Sequence, residues 1–440
     1  MMEGITKVAG EGAGAPRVTW PIYCDAPPSP PPLSKRRPRG AALISRRMRR
    51  FGAILPDVKT NDVPPAVSRA TPPDGQSAGL HAHDFLQRQV ASIRPRLGLP
   101  DLLRGGVDPG TALRDWQQSL RDALWTILGI DADSVSHATP AWEIIDTVPG
   151  EGFVRHQIRY EGVLGGTGSA FVLVPGTMSD SVAPGSNGLA GIVALHGHGN
   201  MLGKELVTGT GADINGATPE ELSELIGRYH SDFGARFARR GYVVITPDAL
   251  GFGERVADRG AQHHQAMGRV VEYLGYTHTG LRLLDDIRAL SILSAWPGVD
   301  ASRIGVVGLS EGGKRTIFVS AFDERVRTAV VSGYFTTIRQ EVEVWNRLGG
   351  WDLCNTLPGL LRVADLPEIV ALIAPRPLLI QNGRGDPLYT LEAVAAGFET
   401  VSRAYTAAGA PGSVSLDLFD GGHRYVSDGP EAWFAQWLPA

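Results

Sequence analysis

One stretch of the sequence decides the fold: Arg303-Ile304-Gly305-Val306-Val307-Gly308-Leu309-Ser310-Glu311-Gly312-Gly313. Residues 304–307 have the apolar character of a buried strand, and residues 314–321 are compatible with a helix. The pentapeptide 308–312 between them fits the pattern Gly-x-Ser-x-Gly. In a sharp strand-to-helix turn, glycines on both sides of the serine avoid side-chain collisions and leave the hydroxyl of Ser310 exposed at the strand tip. This context predicts a nucleophilic serine rather than an incidental one in a glycine-rich turn.

Outside this stretch, apolar strand-like segments alternate with helical segments. Strands are predicted at residues 191–195, 242–246, 327–332, 377–383 and 414–419, and helices at 219–240, 279–295 and 430–438. Such alternation is typical of a mostly parallel, doubly wound sheet in an α/β protein. Three earlier segments, 142–148, 153–160 and 170–174, predict an antiparallel lead-in to that sheet.

The N-terminal part of the chain has a different composition. Residues 1–78 are rich in Pro and Arg and poor in large apolar side chains, which predicts a disordered tail. A Leu/Trp stripe at helical spacing between residues 111 and 130 predicts an N-terminal helical layer over residues 79–140. The α/β domain is expected to span residues 79–440, with a lid insertion at about 335–372.

Composition and charge exclude several functional classes. The formal net charge of −4 argues against a nucleic-acid-binding protein, which would carry a basic domain. No apolar run reaches the length of a membrane span, so no membrane contact is expected. The two cysteines, Cys24 and Cys354, are too few for a disulfide framework, and a cytoplasmic location is the expectation.

Three polar side chains each follow a predicted strand. Ser310 follows the strand 304–307, Asp386 follows 377–383, and His423 follows 414–419. Because the carboxyl ends of parallel strands meet at one edge of a sheet, these residues are expected to lie together. A serine hydroxyl needs a base to take its proton and an acid to orient that base, which are the roles predicted for His423 and Asp386. Rival acids are Asp352, Asp365 and Asp420.

A negatively charged oxygen that develops during such a reaction needs two backbone N–H donors. The amides of Glu311, directly after the serine, and of His198, in the loop after strand 191–195, are the predicted donors. The motif His196-x-His198 also resembles half of a metal site. No Asp-His pair follows it, and His264 stands far along the chain in a predicted loop, so no metal and no cofactor are expected.

Substrate contacts are predicted less specifically. Trp345 and Trp351 in the lid insertion, and Glu254 at a strand end, are candidates for lining the pocket. Ordinary packing of the two tryptophans, and a salt bridge of Glu254 with Arg255 or another neighbour, are the alternatives. The side chain of Glu311 is interpreted as structural rather than as a substrate contact.

Several of these segments together resemble a known family. They are residues 196–199, residues 247–255, the Ser310 turn, residues 373–379 and Gly385-Asp386-Pro387. They resemble the dienelactone hydrolase-like and acetyl xylan esterase-like branch of the α/β hydrolases, a relative of the prolyl oligopeptidase catalytic domain. The resemblance spans residues 141–438. It implies an α/β-hydrolase fold without a cofactor, and Ser310, Asp386 and His423 as the catalytic triad.

The expected activity follows from the triad and from this resemblance. Dienelactone hydrolases proper use cysteine where this chain has Ser310, so dienelactone is not the expected substrate. The expectation is a serine hydrolase that cleaves an acetyl or other short acyl ester of a small or sugar-like molecule. A peptidase or a thioester or lactone hydrolase is the alternative within the fold, and a non-catalytic binding protein is the alternative of another class. The expected partner is a small-molecule ester, and a homo-oligomer is compatible with the sequence.

Overall fold

The computed structural model of this protein describes residues 82–100, 108–176, 188–211, 216–256, 261–343 and 353–440. They belong to one compact unit, Gly79–Ala440. The predicted tail, residues 1–78, lies outside the described residues, and so do Trp345 and Trp351.

The described strands form a single mixed sheet. Their order across the sheet is β1-β2-β3-β5-β4-β6-β7-β8-β9. The first three strands pair antiparallel, β3 pairs antiparallel with β5, and all pairs from β5 to β9 are parallel. The strand bounds are Trp142–Gly150, Phe153–Glu161, Thr167–Pro175, Leu189–Leu195, Val243–Pro247, Val299–Leu309, Val326–Ser332, Leu378–Gly383 and Val414–Phe419 for β1 to β9. The predicted α/β-hydrolase architecture, with its antiparallel lead-in, is confirmed.

Helices connect and cover these strands. In chain order, α1 to α13 are Ala82–Ser92, Pro109–Leu128, Lys204–Thr208, Pro219–Tyr229, Phe233–Arg239, Ala261–Tyr273, His278–Ser294, Glu311–Phe322, Ile338–Glu343, Leu360–Val363, Leu366–Ala371, Leu391–Ala407 and Asp428–Trp437. None of them combines the length and apolar character that a membrane span requires, within the ranges that the structure describes.

The sheet separates two apolar cores because successive side chains of a strand point to opposite faces. Val193 and Leu195 of β4 pack in one core with Val306 of β6. Their neighbours Ile192 and Ala194 pack in the other core, on the opposite face. Strands buried on both faces explain the continuous apolar runs in the sequence.

Helix α2 carries the Leu/Trp stripe that the helical spacing predicted. Asp108 caps its first turn by accepting a hydrogen bond from the amide of Thr111 at 2.8 Å, and Gly129 ends it in the left-handed conformation with φ of 71°. The stripe is buried in the first core. Burial of these side chains fixes an N-terminal helix against the hydrolase core.

The long helix predicted for residues 219–240 is wrong at its centre. The structure has two helices, α4 and α5, and between them His230 takes a left-handed conformation with φ of 52°. Its amide donates to the carbonyl of Ile226, which ends α4. The break matters for the site because Tyr229 and Ser231 on either side of it line the cavity described below.

Candidate active site

Ser310 lies at the sharp turn between β6 and α8 that the motif predicted. Its backbone has φ of 60° and ψ of −122°, a strained conformation for a residue with a side chain. The turn fits into the sheet only because Gly312 has no side chain, since a Cβ there would lie 1.9 Å from the carbonyl oxygen of Leu195. Close packing of β6 against α8 maintains this strained conformation. As a result, Ser310 is exposed to the cavity described below.

His423 and Asp386 meet beside this turn. Nδ1 of His423 lies 2.7 Å from Oδ2 of Asp386. The second oxygen of Asp386 accepts from the amide of Leu388 at 2.9 Å, which fixes the carboxylate. Since a carboxylate can only accept here, Nδ1 of His423 donates, and Nε2 is left as the basic nitrogen.

The rival acids occupy other positions. Asp365 caps α11 and accepts from the amides of Ile338 and Leu366. Asp420 is 98% exposed and pairs at 3.5 Å with Arg384. Asp352 lies outside the described residues.

Two backbone loops hold the acid and the base together. The amide of Gly385 donates to the carbonyl of Gly421 at 2.8 Å, and the amide of Arg384 donates to Phe419 at 2.9 Å. At Gly383 the loops touch so closely that a Cβ would lie 2.4 Å from the carbonyl oxygen of Gly422. The absence of a side chain at Gly383 therefore sets the distance between Asp386 and His423.

Gly383→Ala is expected to push these loops apart and to lower kcat by at least roughly 100-fold, because a misplacement of about 1 Å has that effect on catalysis. The measurement is ester hydrolysis beside thermal unfolding of the same variant. Gly412→Ala is the matched control, since no atom lies within 4 Å of a Cβ at that position. Equal kcat in the two variants would show that loop spacing does not set the geometry of the pair.

The loop after β4 passes next to the serine. A Cβ on Gly197 would lie 3.2 Å from Cβ of Ser310. His196 anchors this loop, because its Nε2 accepts from the amide of Ala249 at 3.0 Å and its Nδ1 donates to the carbonyl of Gly197 at 2.9 Å. Burial, together with the nearby Arg315, lowers the pKa of His196 well below its usual range, so the ring is neutral and structural.

Ser310 and His423 line the same cavity, which has a volume of about 250 Å³. Its other lining residues are small, aliphatic, aromatic or polar: Gly197, His198, Gly199, Leu206, Tyr229, Ser231, Leu309, Glu311, Tyr334, Asn355, Leu388 and Tyr389. The two predicted oxyanion donors, Glu311 and His198, are among them. The structure thus brings Ser310, His423 and both predicted donor residues to one cavity, and Asp386 contacts His423 without lining that cavity.

The side chain of Glu311 lies in a buried cluster of charges beside the cavity. It is fully buried and forms ion pairs with Arg282 at 2.6 Å and with Lys314 at 2.9 Å. Burial opposes its ionisation, but Lys314, Arg282 and His198 together lower the pKa of the carboxyl well below its usual range. Lys314 also donates to the carbonyl of Cys354 at 2.7 Å, which joins this charge cluster to the segment 353–355.

Glu254, a predicted substrate contact, lies elsewhere. Its carboxylate pairs with the buried Lys204 at 2.9 Å and accepts hydrogen bonds from Gln157 and Ser169. It does not line the Ser310 cavity. The structure supports the alternative of a salt bridge with a neighbour, and the partners of Glu254 are Lys204 and Arg159 rather than Arg255.

The prediction that His264 lies in a loop is wrong. His264 lies within α6, and its ring centroid is 5.6 Å from that of His198. Helix α6 therefore brings together two histidines that are far apart in the sequence. His278 is buried next to His264.

Comparison with known proteins agrees with this architecture. Residues 222–349, which include the Ser310 turn, match the model of the dienelactone hydrolase family. The segment around Ser310 is therefore similar to this family. The chain is 29% identical over 164 residues to the Bacillus subtilis (strain 168) protein YtaP, which is named as a hydrolase. The match covers 37% of this chain and spans about half of the relative, 52% of its length.

Solved structures extend the likeness to most of the chain. A Bacteroides fragilis NCTC 9343 protein described as an acetyl xylan esterase superposes with a TM-score of 0.62 at 18% identity, covering 80% of this chain and 84% of that protein. A glucuronoyl esterase from Solibacter usitatus superposes with a TM-score of 0.54 at 15% identity, covering 80% of this chain and 100% of that one. At such identities the likeness shows the shared fold.

Proposed function

We propose that this α/β hydrolase is a serine hydrolase of carboxylic esters with short acyl groups. One observation carries the proposal: Ser310, at a strained turn, shares a small cavity with His423, whose Nδ1 is 2.7 Å from Asp386. A nucleophile, a base and an orienting acid in this arrangement are what acyl transfer through serine needs. The esterase names of proteins with the same fold support the same chemistry.

In the proposed reaction, Nε2 of His423 takes the proton of Ser310 as its Oγ attacks the ester carbonyl. Asp386 accepts from Nδ1–H and stabilises the imidazolium that forms. The tetrahedral intermediate then collapses, His423 gives its proton to the leaving alcohol, and an acyl group remains on Ser310. Water, activated by His423 in the same way, attacks this acyl-enzyme and releases the acid.

The oxyanion of each tetrahedral intermediate is proposed to bind the amides of Glu311 and His198. The amide of Glu311 is at the N-terminus of α8, where the helix dipole favours negative charge. The loop of His198 is held against the serine by His196, as described above. Donors that are fixed before the reaction need no reorganisation when the charge develops.

The size and lining of the cavity support a short acyl group. At about 250 Å³ it is smaller than the roughly 300–1,000 Å³ of pockets that hold drug-sized ligands. Tyr229, Tyr334, Tyr389 and Asn355 give it polar groups beside apolar surface, which suits a small polar ester.

Hydrolysis of p-nitrophenyl acetate, butyrate and octanoate by the purified protein tests this proposal. We expect kcat/KM for the acetate to exceed that for the octanoate by at least about tenfold, because a small cavity excludes the longer chain. A preference for octanoate would contradict the short-acyl assignment. Faster turnover of an acetyl thioester or an anilide would favour the thioesterase or peptidase alternative, and no turnover of any of them would favour a binding role.

A further inference from the structure

Three side chains with metal-binding atoms meet beside the cavity: His198, His264 and Cys354. One donor atom from each lies within 4.8 Å of the other two. Nε2 of His198 is 3.4 Å from Sγ of Cys354. The residues come from three separate segments, namely the loop after β4, helix α6 and the short helical turn 353–355.

Burial makes this cluster unusual. Only 1% of Cys354 and 2% of His264 is exposed. Neither ring nitrogen of His264 has a hydrogen-bond partner among the residues that the structure describes. A buried polar group without a partner costs free energy, and a bound ion is one way in which proteins satisfy such a group.

We propose that His198, His264 and Cys354 form a binding site for a transition metal ion of the Zn²⁺ type. Thiolate and imidazole are the donors that this ion prefers. Bond lengths of about 2.3 Å to sulfur and about 2.0 to 2.1 Å to nitrogen place two ligands of a tetrahedral ion about 3.5 Å apart. The contact of 3.4 Å between His198 and Cys354 fits that spacing. Three protein ligands leave a fourth position for water or another small ligand.

The surroundings hold this site in place and moderate its charge. Lys314 donates to the carbonyl of Cys354 and so fixes the segment that carries the thiol, a supporting contact outside the ligand set. Lys314 and Arg282 both pair with Glu311, whose carboxylate lies 3.9 Å from the sulfur. Glu311 therefore partly neutralises the positive charges of Lys314 and Arg282, which would otherwise repel a bound metal ion.

A bound ion would tie three segments together at one wall of the cavity. It would fix the loop of His198 and the segment 353–355, of which Asn355 lines the cavity. Metal binding then stabilises the folded protein, since the unfolded chain has no preformed site. This inference does not rest on the proposed ester hydrolysis.

The test uses the 440-residue protein with Cys24→Ser, in which Cys354 is the single thiol. After removal of metal with a chelator, Co²⁺ is titrated under reducing conditions, and Zn²⁺ binding is measured by equilibrium dialysis. We expect one ion per chain, a thiolate-to-Co²⁺ charge-transfer band in the near ultraviolet, and a midpoint of thermal unfolding that rises with Zn²⁺ concentration. Cys354→Ser should remove the band. His264→Gln should weaken Zn²⁺ binding by more than the roughly 100-fold that loss of a supporting contact causes.

His278→Gln is the matched control. His278 is 3% exposed, its ring lies 5.7 Å from that of His264, and its ring nitrogens also lack partners among the described residues. It lies outside the three-residue cluster, so Zn²⁺ binding should stay within about threefold of the parent value. Thermal unfolding without metal shows that each variant folds. The proposal is overturned if the parent shows no band, if the band survives Cys354→Ser, or if His278→Gln weakens binding as much as His264→Gln.

Discussion

Ser310→Ala is expected to lower kcat/KM for p-nitrophenyl acetate by at least about 10⁴-fold, because removal of a nucleophile from a serine triad has effects of that size. The Oγ of Ser310 is the atom that forms the bond to the acyl carbon in the proposed reaction, and the other groups act through it. The fold should not change, since alanine keeps the Cβ and needs the same backbone conformation with φ of 60°.

Ser231→Ala is the control for this result. Ser231 lines the same cavity and is nearly buried, but it has no part in the proposed proton transfers. Its kcat/KM should remain within about tenfold of the wild-type value, and both variants should unfold at the wild-type temperature. Equal losses in the two variants would mean that the cavity, and not the hydroxyl of Ser310, determines the rate.

Glu311→Gln is expected to lower the free energy of unfolding by about 3–5 kcal/mol, because removing one partner of a buried ion pair leaves the other charge uncompensated. In this protein two cations, Arg282 and Lys314, lose their partner at once, and both are 1% exposed. The substitution keeps the shape of the side chain, so the change reports charge rather than volume. Urea unfolding followed by circular dichroism gives the measurement.

The loss in free energy of unfolding caused by Glu311→Gln should depend on pH in a defined direction. The pKa of Glu311 is lowered in the folded protein from its usual value of 4.5, because Lys314 and Arg282 outweigh the opposing effect of burial. Its contribution to stability is therefore fully present above pH 4.5 and is lost as the pH falls through the lower, folded pKa. The difference in free energy of unfolding between wild type and Glu311→Gln should be largest near neutral pH and should decrease below pH 4.5.

An exposed pair provides the control for the charge change. Arg228 and Glu224 are also 2.6 Å apart, but their side chains are 58% and 69% exposed. Glu224→Gln should change the free energy of unfolding by less than about 0.5 kcal/mol, because solvent screens such pairs. If Glu224→Gln proved as costly as Glu311→Gln, burial would not be the source of the effect.

The sequence predicted those parts of the site that depend on a few neighbouring residues. The turn around Ser310 is defined by five consecutive residues, and the chain order of Ser310, Asp386 and His423 follows from their positions after three strands. The parallel sheet followed in the same way from apolar segments of strand length. Each of these predictions needed only neighbouring residues and one rule about strand ends.

Residues that act across long sequence separations were missed. Arg282 and Glu311 are 29 positions apart, and His198 and Cys354 are 156 positions apart. Of the two cations that pair with Glu311, only Lys314 could be expected from the sequence, because it lies three residues further along the same helix. The break at His230 was missed for a related reason, since helix propensity along residues 219–240 gave way to packing around the cavity.

Covalent labelling with a fluorophosphonate, followed by peptide mass spectrometry, tests the central claim most directly. The probe reacts with a serine that a neighbouring base activates: Oγ bonds to phosphorus, fluoride leaves, and the product is a stable tetrahedral phosphonate on the serine. The account predicts one adduct, on the peptide that contains Ser310, and labelling that is much slower in His423→Ala. An adduct on another residue, or ester hydrolysis by a protein whose Ser310 stays unlabelled, would contradict it.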